Sequence, residues 1–256
     1  MKKVAAFVGS ARKGHTYDAV RRFLDCLQAP GDVEGEIIVL SEYRLEACRG
    51  CKLCFTKGEA TCPLKDDRDA LIAKMQASDG VVFASPSYLF QVSGTMKRFL
   101  DRLAFFGHRP FFFGKAFTNI VTQGLPFDAK IGKYLNFCGS CLGFNAIVGS
   151  RITALEPMTE KEGRRVDRRL ERQSERFHEG LLGPPNPSPS LKMLMGFRIG
   201  RTTMKLETDD TSFDHRYYRD RGWLESDYFY PVRLNPLKKA LGALFDGVGR
   251  MIAKRR

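Results

Sequence analysis

The chain has 256 residues, enough for one or two domains with a substantial core. Hydrophobic residues make up 43% and charged residues 28%, which excludes a collagen, a disordered tail protein and a disulfide-dense mini-scaffold. Lys and Arg number 42 against 29 Asp and Glu, a net charge of +13 that favours anionic partners without choosing among nucleotides, nucleic acid and acidic membranes. No apolar run approaches the ~18–20 residues of a membrane span. The opening Met1–Ser10 stretch has a basic end and an apolar run too short for a signal peptide, so it reads as a strand and the expected location is the cytoplasm.

Residues 1–150 alternate between short apolar runs and helical patterns. Val4–Val8, Ile37–Leu40, Val81–Ser85, Phe117–Val121 and Ala146–Val148 predict strands buried on both faces, because they are β-branched or apolar without alternation. Thr16–Leu27, Asp67–Ala77, Gly94–Leu103 and, more weakly, Asp128–Leu142 predict the helices between them. Five strands separated by helices imply an α/β fold, a doubly wound parallel sheet. Ligands of such sheets bind beyond the carboxyl ends of the strands, so the loops after the first, third and fourth strands are the candidate sites.

The first strand runs into Gly9-Ser10-Ala11-Arg12-Lys13-Gly14-His15-Thr16 and then directly into a helix. A phosphate there would meet helix N-terminal N–H groups, the hydroxyls of Ser10 and Thr16, and the cations Arg12 and Lys13, with His15 beside them. The pattern matches neither the dinucleotide-binding Gly-x-Gly-x-x-Gly nor the ATP-binding loop. The plainer reading is a strand-to-helix turn capped by Thr16. Further along, Ala84-Ser85-Pro86-Ser87-Tyr88-Leu89-Phe90 leads through Gln91-Val92-Ser93-Gly94-Thr95-Met96-Lys97-Arg98-Phe99-Leu100-Asp101-Arg102. Pro86 stiffens that loop and Tyr88 offers a flat aromatic face.

On these two stretches the chain resembles the flavodoxin-like NAD(P)H-dependent FMN reductases. There, a Gly-Ser-x-Arg-x-Gly-like loop grips the FMN phosphate, and a Ser-Pro-x-Tyr … Ser-Gly-x-x-Lys-x-Phe-x-Asp-Arg stretch follows the third strand. The resemblance covers about residues 1–150 and implies a flavodoxin-like five-stranded sheet that binds FMN. The cofactor-binding residues it implies are Ser10, Arg12, Lys13, Gly14, His15, Thr16, Pro86, Ser87, Tyr88, Leu89 and Phe90. Gln123 and Gly124 would form a third flavin loop after the fourth strand. No side-chain acid or base is obligatory, because the chemistry belongs to the flavin.

Seven cysteines occur, and four of them form Cys48-x2-Cys51-x2-Cys54-x7-Cys62. Two consecutive two-residue gaps and a distant fourth cysteine suit a 4Fe-4S cluster. Zinc and redox-active or structural thiols stay open as alternatives. Arg44, Arg49, Lys52, Lys57 and Lys65 against Glu46 and Glu59 give the segment a local charge of +3, which suits an anionic cluster. The segment also resembles the iron–sulfur flavoproteins of the same family, whose cysteine motif is followed by Asp-Asp. Here these are Asp66 and Asp67, expected to cap the next helix. Cys138 and Cys141 form a second Cys-x-x-Cys on a helix and read as small buried residues.

Residues 156–256 are expected to be a basic C-terminal extension to a flavin domain at 1–155. Thr159–Leu182 is a charge-rich helix candidate whose opposite charges sit three and four residues apart, as on a solvated face. A lid over the flavin or an oligomer contact is the alternative. A proline-rich linker at Gly183–Ser190, an aromatic segment around Asp214–Trp223 and a last amphipathic basic helix, Pro236–Lys254, follow. The expected function is electron transfer from NAD(P)H, or from a ferredoxin-like donor, through FMN. By resemblance the chain forms a homo-oligomer, a dimer or tetramer. Packing against the protein or a second subunit is the plainer reading of the last helix, and peripheral membrane contact through 236–256 is the sharper one. A non-catalytic redox sensor and a nucleic-acid-binding module with a four-cysteine metal site are the alternatives, and nucleic acid is not the expected partner.

Overall fold

The structure, a computed structural model, describes residues 1–125, 130–154 and 156–255. The chain divides into two compact units. The first comprises Met1–Cys48, Leu64–Ala104 and Phe111–Pro185; the second comprises Arg49–Pro63, Phe105–Pro110 and Asn186–Arg256.

The first unit is a doubly wound α/β layer. Its strands are β1 (Lys2–Val8), β2 (Val33–Val39), β3 (Gly80–Tyr88), β4 (Gln91–Val92), β5 (Ala116–Gln123), β6 (Asn145–Ala146) and β7 (Ser150–Thr153). The parallel order is β2-β1-β3-β5-β6, with β7 also on β5 and β4 folded antiparallel onto β3. The helices are α1 (His15–Gln28), α2 (Arg68–Ala77), α3 (Gly94–Arg102), α4 (Lys130–Leu142) and α5 (Glu160–Leu182). Of the helix expected from Asp128, Asp128 and Ala129 lie outside the described residues.

Both faces of the sheet are buried, as its unbroken apolar strands require. Val4, Ala6, Val8, Val82, Ala84 and Ile120 pack against Val20, Phe23, Leu24 and Leu27 of α1 and Leu170, Phe177 and Leu181 of α5. The alternate residues Phe7, Phe83 and Phe117 face the other way, where Phe99 of α3 stacks on Phe7 at 5.3 Å. Helix α5 is therefore part of the first unit. Its Gln173, fully buried, donates to Thr118 Oγ1 and the Asn119 carbonyl, both at 3.0 Å. Thr159 and Glu162 form a reciprocal capping box at its start.

The fifth strand differs from the expected Ala146–Val148. It is split: β6 pairs with Ala116 and Phe117, and β7 pairs with Ile120–Gln123. The cause is Gly149, whose backbone lies so close to β5 that a Cβ there would sit 2.0 Å from the Asn119 carbonyl oxygen. That approach breaks the ladder between the two short strands.

The second unit holds α6 (Leu191–Glu207), α7 (Phe213–Asp220) and α8 (Pro236–Ala253). Helices α6 and α7 fall in the stretch that looked aperiodic. Asp246 of α8 accepts hydrogen bonds from Arg198, Arg201 and Thr202 of α6, and Gly249 permits close approach, since a Cβ there would lie 2.8 Å from Thr202 Cβ. Trp223 packs on Phe229 at 4.8 Å and on Tyr218 at 5.2 Å, which anchors the aromatic segment.

Candidate functional site

The carboxyl ends of β1, β3 and β5 lie side by side because the register pairs Val8 with Ala84 and Pro86 with Thr122. The loops leaving them form one cleft, lined by Ser10, Arg12, Gly14, His15 and Thr16, by Pro86, Ser87 and Tyr88, and by Thr122, Gln123, Gly124 and Ala154. Ten of the thirteen flavin-contact residues expected from the sequence are in that lining. Lys13 is outside it, 3.3 Å from Glu42. Leu89 and Phe90 are also outside it, at the tip of the β3–β4 hairpin and 91% and 57% exposed.

Helix α1 begins at His15 with Gly14 as its N-cap, and Gly14 supplies no side-chain acceptor. The turn is therefore not capped by Thr16. The hydroxyl of Thr16 lies 2.6 Å from that of Thr122, a buried link between the first and third loops. The first-turn N–H groups are left to whatever occupies the cleft. His15 Nε2 lies 2.7 Å from Glu156 Oε1, while the exposed Arg12 guanidinium is in no ion pair among the described residues. These residues fit a phosphomonoester: a dianion at a helix N-terminus with a guanidinium and hydroxyls beside it.

Gly9 is fixed by packing. A Cβ there would lie 2.7 Å from Met96 Cβ, and the Gly9 carbonyl accepts a hydrogen bond from Ser93 Oγ. Ser93 in turn caps α3 by accepting from Met96 N at 3.1 Å, and its own N–H donates to Ser85 Oγ at 3.0 Å. The first and third loops are thus tied through one buried serine. Leu89 and Phe90 both have positive φ, 47° and 61°, in the two-residue turn between β3 and β4. Bulky residues in that region are strained, and here the strain holds two apolar side chains out at the rim beside Tyr88. The cleft volume of about 190 Å³ is below the ~300–1,000 Å³ of sites that enclose a drug-sized ligand. It can enclose the phosphate end of a flavin nucleotide while the ring lies on the aromatic rim.

Thr122 lies in the Thr122-Gln123-Gly124 stretch that the resemblance pointed to, whereas Ala154 carried no motif. The parallel register brings them in, since it pairs Thr122 with Ile152 and Gln123 with Thr153.

Asp67 is the N-cap residue of α2 without a side-chain cap bond, while Asp66 Oδ1 accepts from Arg68 N, the first N–H of that helix, at 3.3 Å. Asp67 Oδ2 accepts from Arg44 N at 2.7 Å, and Asp66 Oδ2 accepts from Glu46 N at 2.8 Å. Asp66 also pairs with the buried Arg102, so Arg102 is no solvated helix charge. Together they hold the segment that enters the cysteine motif. Cys48 and Cys51 are exposed, and Cys54 and Cys62 are half-buried. Among the described residues no group of three or more His, Cys, Asp or Glu is arranged to hold a metal ion. Burial pushes the Cys138 thiol up, in keeping with a packing role.

A parallel sheet wound on both faces, with a cleft at its carboxyl edge, defines a flavodoxin-like α/β fold. The description of NADPH-dependent FMN reductases matches residues 2–130, about half of the 256. The chain belongs to that family, and with it to the flavin oxidoreductases. An iron–sulfur flavoprotein of Archaeoglobus fulgidus is 34% identical over 161 residues, 57% of this chain and 70% of that protein. Another, from Methanocaldococcus jannaschii, is 39% identical over 101 residues, which is 39% of this chain and 51% of its own. Among solved structures, RosB with a bound riboflavin-5′-phosphate intermediate has a TM-score of 0.57 at 13% identity and covers 92% of each chain. Azoreductase AzrA has a TM-score of 0.55 at 14% identity, covering 69% of this chain and 99% of its own. At such identities the likeness is one of fold.

Proposed function

We propose that the chain binds FMN in the carboxyl-edge cleft and uses it to accept electrons from NAD(P)H. The observation that carries this is the convergence of Ser10, Arg12, Gly14, His15 and Thr16 with Pro86, Ser87, Tyr88, Gln123 and Gly124 around one opening. The first five would hold the phosphate, and Pro86 and Tyr88 would support the ring. When bound, FMN supplies hydride acceptance and one-electron chemistry. The chain's own contribution would be grip and orientation, with Ser93 keeping the two loops in register and the Leu89–Phe90 turn standing at the rim beside Tyr88. A ferredoxin-like protein is the alternative donor.

The test is an absorption spectrum of protein reconstituted with FMN under anaerobic conditions. Flavin bands that survive gel filtration and bleach on adding NADPH or NADH are the expected result. An Arg12→Gln variant should bind FMN about tenfold more weakly, the loss of one charge-assisted contact. A protein that stays colourless would overturn the reading.

The spacing of Cys48, Cys51, Cys54 and Cys62, and relatives named iron–sulfur flavoproteins, support a 4Fe-4S cluster as a second redox group. The flavin reading stands without it. Iron and acid-labile sulfide should co-purify under strict anaerobiosis, and stoichiometric zinc without sulfide would contradict the cluster.

The last helix supports peripheral membrane contact through 236–256. No helix among the described residues is long and apolar enough to cross a membrane. The face that α8 buries is Gly242, Asp246 and Gly249, so Leu237, Leu244 and Met251 are left 66%, 61% and 50% exposed. Arg250, Lys254 and Arg255, also exposed, stand at the same end of the helix as Met251. An apolar face edged with cations suits the surface of an anionic bilayer. Flotation with phosphatidylserine vesicles should recover the protein, and Leu244→Glu/Met251→Glu should abolish recovery; equal recovery of both would end this reading.

A further inference from the structure

Helix α5 carries Arg165, Arg168, Arg169, Arg172 and Arg176 on the side away from its buried stripe of Val166, Leu170, Gln173 and Phe177. Of the neighbouring charges, Arg164 pairs with Glu160 at 3.2 Å and Asp167 with Arg22 at 2.9 Å. Among the described residues none of the five arginines is in an ion pair, so the row is not the neutralised face that the charge spacing suggested. Like charges three and four residues apart weaken a helix by a few tenths of a kcal/mol per pair.

At one end the row becomes concave. Arg165 and Arg169 join Arg151 of β7 around a cleft completed by Gln123, Ile152, Thr153, Glu162 and Val166. Its volume, about 310 Å³, falls within the range of small-molecule sites. The single carboxylate in the wall, Glu162, is engaged by the Thr159 N–H at 2.8 Å and hydroxyl at 2.7 Å. Arg169 donates to the Arg151 carbonyl, which holds its guanidinium at the wall. Burial, and then the charges of Arg165 and Arg151, hold the Arg169 guanidinium below its usual range. Three guanidiniums facing one opening, with their nearest carboxylate already taken, form an anion site.

Its position identifies the anion. Gln123 lines both this cleft and the one assigned to FMN, and Thr153 here is followed by Ala154 there. A ligand in the arginine cleft therefore lies next to the flavin opening. We propose that Arg151, Arg165 and Arg169 bind a phosphate group of the pyridine nucleotide donor, anchoring it beside the flavin cleft. This rests on the FMN reading above. The site lies in residues 151–169, beyond the stretch 2–130 that matches the family.

Either the 2′-phosphate of NADPH or the diphosphate shared with NADH could supply that group, and donor kinetics separate the two. In FMN-loaded full-length protein under anaerobiosis, flavin bleaching is followed against donor concentration. Arg165→Gln/Arg169→Gln should raise the half-saturating NADPH concentration about tenfold or more, the loss of two charge-assisted contacts, with the limiting rate and flavin content kept. NADH left unchanged assigns the 2′-phosphate, and an equal rise with NADH assigns the diphosphate. Unchanged half-saturation for both donors overturns the proposal. So does an equal rise in Arg172→Gln/Arg176→Gln, which removes the same charge from the same helix outside the cleft lining. Titration of the FMN-loaded protein with 2′,5′-ADP, which carries the 2′-phosphate, and with 5′-ADP, which carries the diphosphate, reads the site without turnover. Binding of either that is lost in the cleft variant supports it, and absence of binding of both to the unmodified protein overturns it. Failure of both donors to bleach the bound flavin would instead count against the donor reading, and the titration would still decide the arginine site.

Discussion

Asp66→Asn is expected to lower the stability of the first unit by about 3–5 kcal/mol, the cost of removing one partner from a buried ion pair. The carboxylate of Asp66 and the guanidinium of Arg102 are 1% and 2% exposed. Water cannot take over the charge that the substitution leaves on Arg102, and an asparagine amide turns its own donors toward it. The melting temperature should fall on the order of 10 °C, read by far-ultraviolet circular dichroism. The pH profile should change as well. Burial alone would raise the Asp66 carboxyl, but the N–H of Glu46 and the Arg102 side chain outweigh it and hold it below the ordinary carboxylate value. A depressed folded-state pKa contributes stability that is present above the unfolded value, ~3.9, and lost as pH falls through the folded one. The unmodified protein should therefore lose stability on acidification below about pH 4, and the variant should lose less over the same window. Equal acid slopes, or a melting temperature within a degree or two, would show that Arg102 finds other compensation.

The core of the sheet was legible because its strands are buried on both faces and so read as unbroken apolar runs: Val4–Val8 and Val81–Ser85 lie inside strands of the structure. The split fifth strand was not legible, because it depends on how closely Gly149 approaches Asn119, a property of two segments thirty residues apart. The loop after the first strand was legible as a wall of the cleft from its glycines, hydroxyls and cations. Ala154 was not, since only strand register brings it to the opening. Charge was the least legible property. Arg102 and Arg109 stand in sequence like any surface cation, yet each is buried on an aspartate far away in the chain. Arg165, Arg168, Arg169, Arg172 and Arg176 of α5 have acidic neighbours in sequence, yet among the described residues none of the five is in an ion pair. Helices α6 and α7 were hidden for a related reason: their buried positions include Arg198, Thr202 and Asp214, which break the apolar periodicity that announces a helix.

Arg109→Met should cost the second unit about 3–5 kcal/mol, with the opposite pH signature to the unmodified protein near neutrality. Arg109 is 1% exposed. Its guanidinium pairs with Asp214, and Nη2 donates to the Cys54 carbonyl at 2.9 Å and to Glu59 Oε2 at 2.8 Å. It lies over the Phe213 ring at 4.8 Å and the Tyr217 ring at 5.5 Å. The side chain thus fixes the middle of the cysteine segment to α7. Its removal leaves Asp214, 4% exposed, facing His108, whose Nδ1 is 2.8 Å from Asp214 Oδ2. In the intact protein, burial and then the charge of Arg109 hold His108 below its ordinary value. Stability from that group is present above the unfolded value, ~6.5, and declines as pH falls through it. Without Arg109 the unneutralised Asp214 should raise His108 above that value, so its contribution is complete at low pH and lost as pH rises through the raised pKa. The deficit of the variant should be smaller at pH 5.5 than at pH 8. Trp223 is the chain's single tryptophan, is 6% exposed and packs on Tyr218 in the same unit, so its fluorescence in urea reports this unit directly. In the double variant Arg109→Met/Asp214→Leu, both members of the pair become apolar, and much of the loss should return. A double variant no more stable than Arg109→Met would shift the main role of Arg109 to its bonds with Cys54 and Glu59, and the loss would then be independent of His108 and of pH.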